Sequence, residues 1–309
     1  MQHSASLKCL VIGHLVIDYV VKNGVNIRRA LGGAAAYCSL ALRKYGAEVS
    51  IVSKVGEDFP NEYLLFLARN GINISFIKIA KGKRTTSYKL EYFNSERQLT
   101  IMGLCEPILP QDVPFDLSPY SFIHLGSVAR EIPLITVKSI ANKYTGVISV
   151  DLQGYVRSFK NSKVVLEHNS EAMEVLKYVH IVHADNNEAS VICKSNNVIE
   201  MCLELQAHGP RIVIISLGRN GAYLGYESEV YYIPAAKPRI IVDETGAGDV
   251  YTAIFTAHYV MTGDVFEAIA LAASAVSFLV EDVGFSGLVD KVRMYERIQS
   301  VKTGIKKVT

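Results

Sequence analysis

Short, strongly apolar segments alternate along this chain with longer segments of helical periodicity, and this alternation limits its possible folds more than any other feature. The apolar segments are rich in β-branched residues, which is typical of strands buried on both faces of a parallel sheet. Strand followed by helix, repeated, predicts an α/β fold with a doubly wound, mostly parallel sheet and helices on both faces. Glycines stand where several helices should end, at Gly46, Gly71, Gly209 and Gly263. The predicted strands are 10–12, 49–52, 122–125, 147–150, 181–182 and 212–215, and the predicted helices are 34–45, 61–70, 132–143, 198–208 and 250–262.

Two segments break this rhythm. Residues 17–27 read as a strand, a turn at Lys22-Asn23-Gly24 and a second, short extended piece. Residues 87–92 and 98–101 alternate with a period of two around a polar turn at 94–97. A period of two predicts a hairpin with one face in water.

We therefore predict a single domain over residues 1–309 with a small β lid inserted from about 14–27 and 86–101. A lid of this kind would cover a cleft in the α/β core. The alternative is that the second inserted segment is an ordinary surface hairpin.

Composition and charge exclude several classes of protein. The net charge is +2 and basic residues are interspersed with acidic ones, so nucleic acid is not expected as the main partner. The apolar runs near Leu10 and Ala268 are shorter than the roughly 20 residues that span a bilayer, so no membrane partner is expected. The five cysteines are scattered and form no C-x-x-C pair. They predict reduced thiols in a cytoplasmic protein rather than a disulfide framework or a zinc site.

The segment Asp243-Glu244-Thr245-Gly246-Ala247-Gly248-Asp249 carries the most chemical information. It follows the apolar run 240–242, which predicts a strand, and it precedes a helical segment. Small residues at 246–248 allow backbone N–H groups to converge on an anion, and the helix dipole adds positive potential. Phosphoryl transfer needs such stabilisation and a base in line with the incoming hydroxyl, and Asp249 is placed to be that base. The alternative is that Asp249 only caps a helix behind a tight turn.

This segment resembles the C-terminal signature of the ribokinase-like (PfkB) carbohydrate kinase family, and other segments strengthen the resemblance. Gly13 followed by Asp18 looks like the opening strand of the family. Leu31-Gly32-Gly33-Ala34-Ala35-Ala36, with Val55-Gly56-Glu57-Asp58 after it, is similar to the N-terminal signature. Ser216-Leu217-Gly218-Arg219-Asn220-Gly221 resembles the segment that lines the nucleotide site. Together these motifs extend over nearly the whole chain.

The resemblance implies transfer of a phosphoryl group from ATP to a hydroxyl of a sugar, inositol or nucleoside, with Mg²⁺ bridging the phosphates. It makes Asp249 the catalytic base and the N–H groups of Gly246, Ala247 and Gly248 the anion hole. In many members of the family the lid also forms a homodimer contact. The other site residues that it implies are Asp18, Gly32 and Gly33 for the acceptor, and Ser216, Gly218, Gly221 and Thr245 for the nucleotide.

Tyr37 stands where the family usually has an Asn that contacts the sugar. A phenol cannot reproduce the two-ended contact of an amide, so ribose becomes a less suitable acceptor. The alternative is that the Tyr37 ring packs in the core of its helix.

The N-x-x-E motif of the family appears here as Asp185-Asn186-Asn187-Glu188. The extra carboxylate repels phosphate unless a cation lies between them, which predicts a steep Mg²⁺ dependence. Glu188 and Asp185 would hold Mg²⁺ mostly through water. An alternative register gives the role of the missing Asn to Asn186.

The third departure from the family pattern concerns the binding of K⁺. Family members often hold K⁺ near the glycine turn, but Glu244 replaces the usual Thr and the segment Val283-Gly284-Phe285-Ser286 diverges. K⁺ is therefore a possible cofactor that the sequence leaves undecided.

The segment 151–157 follows a predicted strand, and ligands of open α/β sheets bind beyond the carboxyl ends of strands. Asp151, Gln153 and Arg157 are therefore candidates to read acceptor hydroxyls, and Arg157 could also pair with the transferred phosphate. The pattern D-x-Q-G-x-x-R also looks like a subgroup that includes inositol and nucleoside kinases. The alternative is a surface loop with a solvated Arg157.

Several rival functions stay open. The donor could be ADP, or the chain could be a sensor that binds nucleotide and sugar without turnover. An oxidoreductase is less favoured, since the dinucleotide-binding signature is absent from the sequence. The hydrolase and Walker signatures are absent as well, which disfavours a hydrolase and a P-loop protein. The sequence does not identify the acceptor.

Overall fold

Two β-sheets organise the structure, a computed structural model that describes residues 6–22, 24–93 and 96–309. Asn23 of the predicted turn at 22–24 and residues 94–95 of the predicted turn at 94–97 lie outside the described residues. The strands are β1 (Lys8–Ile12), β2 (Val16–Lys22), β3 (Val25–Gly32), β4 (Glu48–Gly56), β5 (Ile72–Ala80), β6 (Ser87–Phe93), β7 (Glu96–Gly103), β8 (Phe122–Gly126), β9 (Val147–Asp151), β10 (Arg157–Lys160), β11 (Lys163–Leu166), β12 (Ile181–Asp185), β13 (Ile212–Ser216), β14 (Ala222–Tyr226), β15 (Glu229–Ile233) and β16 (Lys306–Lys307).

Helices connect most of the parallel strands. Several of them end at the predicted glycines, and Gly46 and Gly263 adopt the left-handed C-cap conformation that a side chain disfavours. The helices are α1 (Ala34–Tyr45), α2 (Asn61–Arg69), α3 (Leu134–Lys143), α4 (Gln153–Val156), α5 (Ser170–Leu176), α6 (Asn186–Ser190), α7 (Val198–Ala207), α8 (Ala247–Thr262), α9 (Val265–Leu279), α10 (Lys291–Met294) and α11 (Ile298–Lys302). No helix in the described part of the chain combines the length and hydropathy needed to cross a membrane.

The large sheet has the strand order β16-β15-β14-β13-β12-β9-β8-β1-β4-β5 among the described residues. The strands from β13 to β5 pair in parallel, whereas β14, β15 and β16 add antiparallel strands at one edge. The six strands predicted for the parallel sheet, 10–12, 49–52, 122–125, 147–150, 181–182 and 212–215, all lie in its parallel part. The predicted α/β fold with a mostly parallel sheet is therefore confirmed.

Strand β1 shows why this sheet has helices on both faces. Successive side chains of a strand point to opposite faces. Cys9 and Val11 pack in a core that includes residues of α1, α8 and α9, whereas Leu10 and Ile12 pack in a second core that includes residues of α3, α5 and α7. All four side chains are fully buried.

The predicted strand at 240–242 is wrong. This segment is an irregular loop in which Ile240 is 61% and Val242 is 50% exposed. The Val242 N–H donates to the Val280 carbonyl oxygen, 2.8 Å away, so the loop is held by the end of α9 rather than by a neighbouring strand. Helix α8 also begins at Ala247, earlier than the predicted residue 250.

The small sheet has the strand order β10-β11-β7-β6-β2-β3 within the described ranges. The predicted hairpin is present as the antiparallel pair β6 and β7, and β2 pairs antiparallel with β3 and parallel with β6. Strand β3 is longer than the predicted short piece, and β10 and β11 were not predicted. The division into one domain with an inserted lid stays a prediction.

Candidate functional site

A cleft of about 420 Å³ lies between the small sheet and the carboxyl ends of β9, β12 and β13. Side chains from β2, β6, β7 and β11 form its roof, and the first turn of α8 forms part of its floor. The structure therefore brings together residues that are far apart in the sequence. The predicted site residues that line the cleft are Asp18, Gly33, Tyr37, Gln153, Arg157, Asp185, Glu188, Ser216, Thr245, Gly246, Ala247, Gly248 and Asp249.

Three predicted site residues do not line this cleft. Gly32 ends β3 behind Asp18, where a Cβ atom would lie 1.9 Å from Oδ2 of that carboxylate. Gly218 and Gly221 belong to the turn after β13. Arg219, in the same turn, donates from Nε to Glu244 Oε1 at 3.1 Å. Glu244 itself lines the cleft. The nucleotide-binding role of the two glycines stays a prediction.

The turn at the start of α8 lines the cleft with the small residues Gly246, Ala247 and Gly248. Gly246 is the N-cap and has a φ of 79°, a left-handed conformation that favours glycine. The first N–H groups of a helix have no acceptor within it, so the first turn of this sixteen-residue helix is suited to bind an anion. Asp249 lies in the same turn and lines the cleft.

Asp243 holds this turn in place. Its Oδ1 atom accepts the Thr245 N–H at 3.0 Å, and its Oδ2 atom accepts the Gly284 N–H at 3.2 Å. The guanidinium of Arg28, from β3 of the small sheet, lies 3.6 Å from the same Oδ2 atom. A protein cation therefore lies beside the turn near which members of the family often hold K⁺.

Tyr37 packs in the core and also lines the cleft, and its contact with the acceptor stays a prediction. Its side chain is buried, and its ring packs 4.5 Å from the Phe285 ring, centroid to centroid. The ring also lies directly against Gly246, since a Cβ atom there would be 2.2 Å from Tyr37 Cδ1. Burial, together with the nearby carboxylates of Asp243, Asp18 and Asp249, raises the pKa of the Tyr37 hydroxyl. The ring is thus a packed residue that also lines the cleft.

Sequence reasoning missed a buried polar chain beneath the cleft. His183, from β12, places Nδ1 2.8 Å from Asp151 Oδ2 and Nε2 3.1 Å from Ser216 Oγ. Its Cε1 atom lies 2.9 Å from the position that a Cβ atom on Gly248 would take. The chain therefore joins the ends of three parallel strands directly under the glycine turn.

The electrostatics of this hydrogen-bonded chain favour an ion pair between His183 and Asp151. Burial alone would lower the pKa of the His183 imidazole, but the adjacent Asp151 carboxylate raises it above its usual value. Burial opposes ionisation of Asp151 as well, yet its interactions with His183 hold its pKa below the usual range. The observed strand β12 extends beyond the predicted 181–182 to Asp185. A prediction of this longer strand would have placed His183 near its carboxyl end, where ligands of open α/β sheets bind.

Asp151 lines the cleft, and its role as a reader of acceptor hydroxyls stays a prediction. The carboxylate is buried, and besides its contact with His183 it accepts the Gln153 N–H at 2.9 Å. Gln153 begins the short helix α4 and Arg157 begins β10, so neither lies in a simple surface loop. The Arg157 guanidinium donates to Gln153 Oε1, and both side chains line the cleft.

Asp185 and Glu188 form a reciprocal N-terminal cap on α6. Asp185 Oδ1 accepts the Glu188 N–H at 2.8 Å, and Glu188 Oε2 accepts the Asp185 N–H at 2.9 Å. Burial, followed by the charges of Asp151 and Asp185, raises the pKa of Glu188 to about 8. The cap leaves one oxygen of each carboxylate outside these two hydrogen bonds.

These carboxylates are compatible with the expected mode of Mg²⁺ binding. Both line the cleft, but the described residues contain no group of three or more potential ligands placed to hold a metal ion. Two carboxylates with water completing the coordination suit Mg²⁺, which gives up its water reluctantly.

Comparisons with known proteins agree on one family. A sequence model described as pfkB family carbohydrate kinase matches residues 6–291. Cytidine kinase of Thermococcus kodakarensis is 27% identical over 257 residues, which cover 82% of this chain and 88% of the relative. Inositol 3-kinase of Arabidopsis thaliana is 28% identical over 252 residues, which cover 78% of this chain and 65% of the relative. These relatives act on different alcohols, as their names state.

A solved structure shares the fold over almost the whole chain. It is described as a pyrophosphate-dependent kinase in the ribokinase family complexed with a pyrophosphate analog and myo-inositol. Its TM-score is 0.80 at 22% sequence identity, with 93% of this chain and 99% of that chain covered. The TM-score establishes a common architecture, and at this sequence identity the likeness shows the fold alone.

Proposed function

This chain belongs to the pfkB family of carbohydrate kinases and is a small-molecule kinase, and on that premise we propose that it transfers the terminal phosphoryl group of ATP to a hydroxyl of a sugar, inositol or nucleoside. One observation carries the proposal. A single cleft contains Asp18, the N-terminal turn of α8 and Asp249. Asp18 holds acceptor hydroxyls on the roof side, and the turn receives the phosphoryl group.

The proposed step is a direct displacement at phosphorus. Asp249 accepts the proton of the acceptor hydroxyl, whose oxygen forms a bond to the γ-phosphorus. The bond from that phosphorus to the oxygen bridging the β-phosphate breaks, and ADP leaves with the electron pair. The N–H groups of Gly246, Ala247 and Gly248 stabilise the negative charge on the transferring oxygens.

The donor is proposed to extend from this turn toward Ser216, Thr245 and the turn that contains Gly218 and Gly221. Asp185 and Glu188 would hold Mg²⁺ through water beside the phosphates. When bound, Mg²⁺ neutralises phosphate charge and orients the donor. The homodimer contact through the small sheet stays a prediction.

Asp249→Asn tests the catalytic proposal, because an amide cannot accept the hydroxyl proton. We expect kcat to fall by about 10²–10⁴-fold, while donor affinity measured by calorimetry stays near that of the wild type. Asp264→Asn is the matched control, because Asp264 caps α9 and Asn caps a helix about as well. Equal turnover by Asp249→Asn and the wild type would contradict the assignment. Binding of nucleotide without transfer to any alcohol would instead support the sensor.

The identity of the donor needs its own experiment. ATP is the proposed donor, with ADP and pyrophosphate as alternatives; the structural neighbour described above is named as pyrophosphate-dependent. We expect kcat/KM for ATP to exceed the values for both alternatives by at least about tenfold, a difference of about 1.4 kcal/mol. A higher value for ADP or pyrophosphate would overturn the donor assignment and leave the kinase assignment intact.

A further inference from the structure

A second cavity, of about 380 Å³, adjoins the cleft under the β3 side of the small sheet. Asp18, Tyr37, Leu90 and Thr245 line both spaces, whereas Asp249 lines only the cleft. The two spaces therefore meet at Asp18, the residue proposed to hold acceptor hydroxyls. A larger acceptor can place one part against Asp18 and Asp249 and a second part in this cavity.

Aromatic rings form one wall of the second cavity. Tyr63 and Phe66 come from α2, and Phe285 comes from the turn Gly284–Gly287. The Phe66 and Phe285 rings are stacked, with centroids 6.0 Å apart and planes inclined by 26°. Phe66 is 39% exposed, so its ring is available to a ligand rather than sealed in the core. Aromatic walls of this kind favour a flat ring system, which gains contact area and stacking.

The roof of the cavity is apolar apart from two charged side chains. Val20 and Leu90 line the cavity from the small sheet, with Asp18 at the junction with the cleft and Arg28 on β3. A polyol carries hydroxyls on every side, and a buried hydroxyl against Val20 or Leu90 would lack a partner. A nucleobase has apolar faces for the rings and polar edges that can accept hydrogen bonds from Arg28.

We propose that the acceptor is a nucleoside whose base lies in this aromatic cavity and whose ribose lies in the cleft between Asp18 and Asp249. The inference rests on the proposed kinase function. A ribose hydroxyl gives its proton to Asp249 and forms the new O–P bond, and ADP leaves.

The first test compares two nucleosides with two polyhydroxy acceptors that carry no base. Rates with ATP and Mg²⁺, and binding by calorimetry, are measured for cytidine, adenosine, ribose and myo-inositol. We expect at least one nucleoside to exceed ribose and myo-inositol by at least about tenfold in both kcat/KM and affinity, as base stacking on an aromatic ring predicts.

Two variants then test the cavity itself. Phe66→Ala removes a stacking wall, and Ala30→Leu narrows the cavity from the roof. Each should lower the ratio of nucleoside to ribose kcat/KM by about tenfold. Phe115→Ala is the control, because Phe115 is 90% exposed and lines neither space, and its ratio should match that of the wild type.

The outcomes separate this inference from the proposed function. Preference for ribose or myo-inositol, or an unchanged ratio in both cavity variants, would overturn the nucleoside assignment while transfer to an alcohol still supports the kinase. If no alcohol is phosphorylated but a nucleoside binds in a Phe66-dependent manner, the kinase proposal fails and the cavity assignment stands.

Discussion

The Tyr37 ring lies in direct contact with the anion-binding turn. It lies against the Gly246 backbone on one side and packs on Phe285 on the other. Glycine at 246 thus meets two requirements at once, a left-handed φ and the absence of a Cβ atom. The sequence motif indicated only that residues 246–248 are small. The left-handed φ of Gly246 and its contact with Tyr37, more than two hundred positions away, appear only in the structure.

Gly246→Ala separates these two requirements when it is compared with Gly263→Ala at the other end of α8. Both glycines have a left-handed φ, but a Cβ atom at 263 would meet nothing within 4 Å. We expect each substitution to cost about 1–2 kcal/mol of stability through backbone strain. Only Gly246→Ala should also lower kcat, by about 10²-fold or more, because the turn must move away from Tyr37. Equal kcat values in the two variants would show that the ring does not position the turn.

Glu188 makes stability depend on pH. Its pKa is about 8 in the folded state, against an ordinary value of 4.5. Below both values the carboxyl is protonated in both states and carries no penalty. As the pH rises between them, only the unfolded chain releases the proton, so the folded state loses stability until about pH 8.

Glu188→Gln should remove this loss, because Gln stays neutral and can keep the reciprocal cap. Between about pH 5 and pH 8, the free energy of unfolding of the wild type should fall by roughly 2–4 kcal/mol more than that of Glu188→Gln. Urea unfolding across this range measures both. Glu62→Gln, at an exposed position, serves as the control and should follow the wild type. Parallel curves for the wild type and Glu188→Gln would contradict the shifted pKa.

Among the elements, the small sheet is the one whose attachment to the core is tied to the chemistry. Its edge strand β3 carries Arg28, which reaches Asp243, and Asp243 in turn accepts the N–H groups of Thr245 and Gly284. One carboxylate thus connects the roof, the glycine turn and the segment after α9. We therefore expect movement of β3 to change the position of the phosphate-binding turn.

Arg28→Met tests this connection. We expect kcat/KM to fall about fivefold in buffer without K⁺, the equivalent of about 1 kcal/mol for a half-exposed ion pair. K⁺ should restore part of the loss by supplying a cation beside Asp243, whereas the wild type should respond little to K⁺. Arg29→Met is the matched control, because the neighbouring Arg29 pairs with Glu62 on α2 and does not reach the turn. An equal fall in kcat/KM in Arg29→Met would show that the effect comes from the overall charge of β3 and not from the contact between Arg28 and Asp243.

Elements were predictable where their burial pattern is local. Strands such as 122–125 and 212–215 are continuous apolar runs because both faces of the large sheet are covered. Strands β10 and β11 are short and half-buried, and they form by pairing with each other and with the distant β7. The segment 240–242 shows the opposite error, since two of its three apolar residues, Ile240 and Val242, are exposed. Hydrophobicity alone does not tell a covered strand from an uncovered loop.

For the molecule as a whole, the central strand β1 joins two cores that lie on opposite faces of the large sheet. Its neighbours β4 and β8 pair with it in parallel on either side. A cavity beside this strand cannot be filled by movement of a surface element. Substitutions in β1 are therefore expected to destabilise the whole fold.

Leu10→Ala should lower the free energy of unfolding by about 2–5 kcal/mol, because a fully buried side chain leaves a cavity behind. Val25→Ala, at a position that is 62% exposed on β3, should change it by no more than about 0.5 kcal/mol. Urea unfolding measures both, and the slope with denaturant should stay the same if the fold still unfolds as one unit. A small effect of Leu10→Ala would mean that the two cores do not depend on β1.

The composition of the site was predictable, but its connections were not. Short motifs identified the glycine turn, Asp18 and Asp249, because phosphate binding imposes small residues and a carboxylate in fixed order. The ion pair of His183 with Asp151 and the second cavity arise from residues that meet only after folding. Their distances along the chain leave no local pattern.

The roof of the cleft is drawn from three stretches of the chain, within 16–32, 87–103 and 157–166, but its floor is completed by the turn at 246–249. On the ribosome, a nascent polypeptide that has not yet exposed residue 249 carries most of the roof and no phosphate cradle. Ligands that need both halves can bind and stabilise only a chain whose synthesis has passed residue 249. During translation, such ligands therefore give little help to the earlier stages of folding.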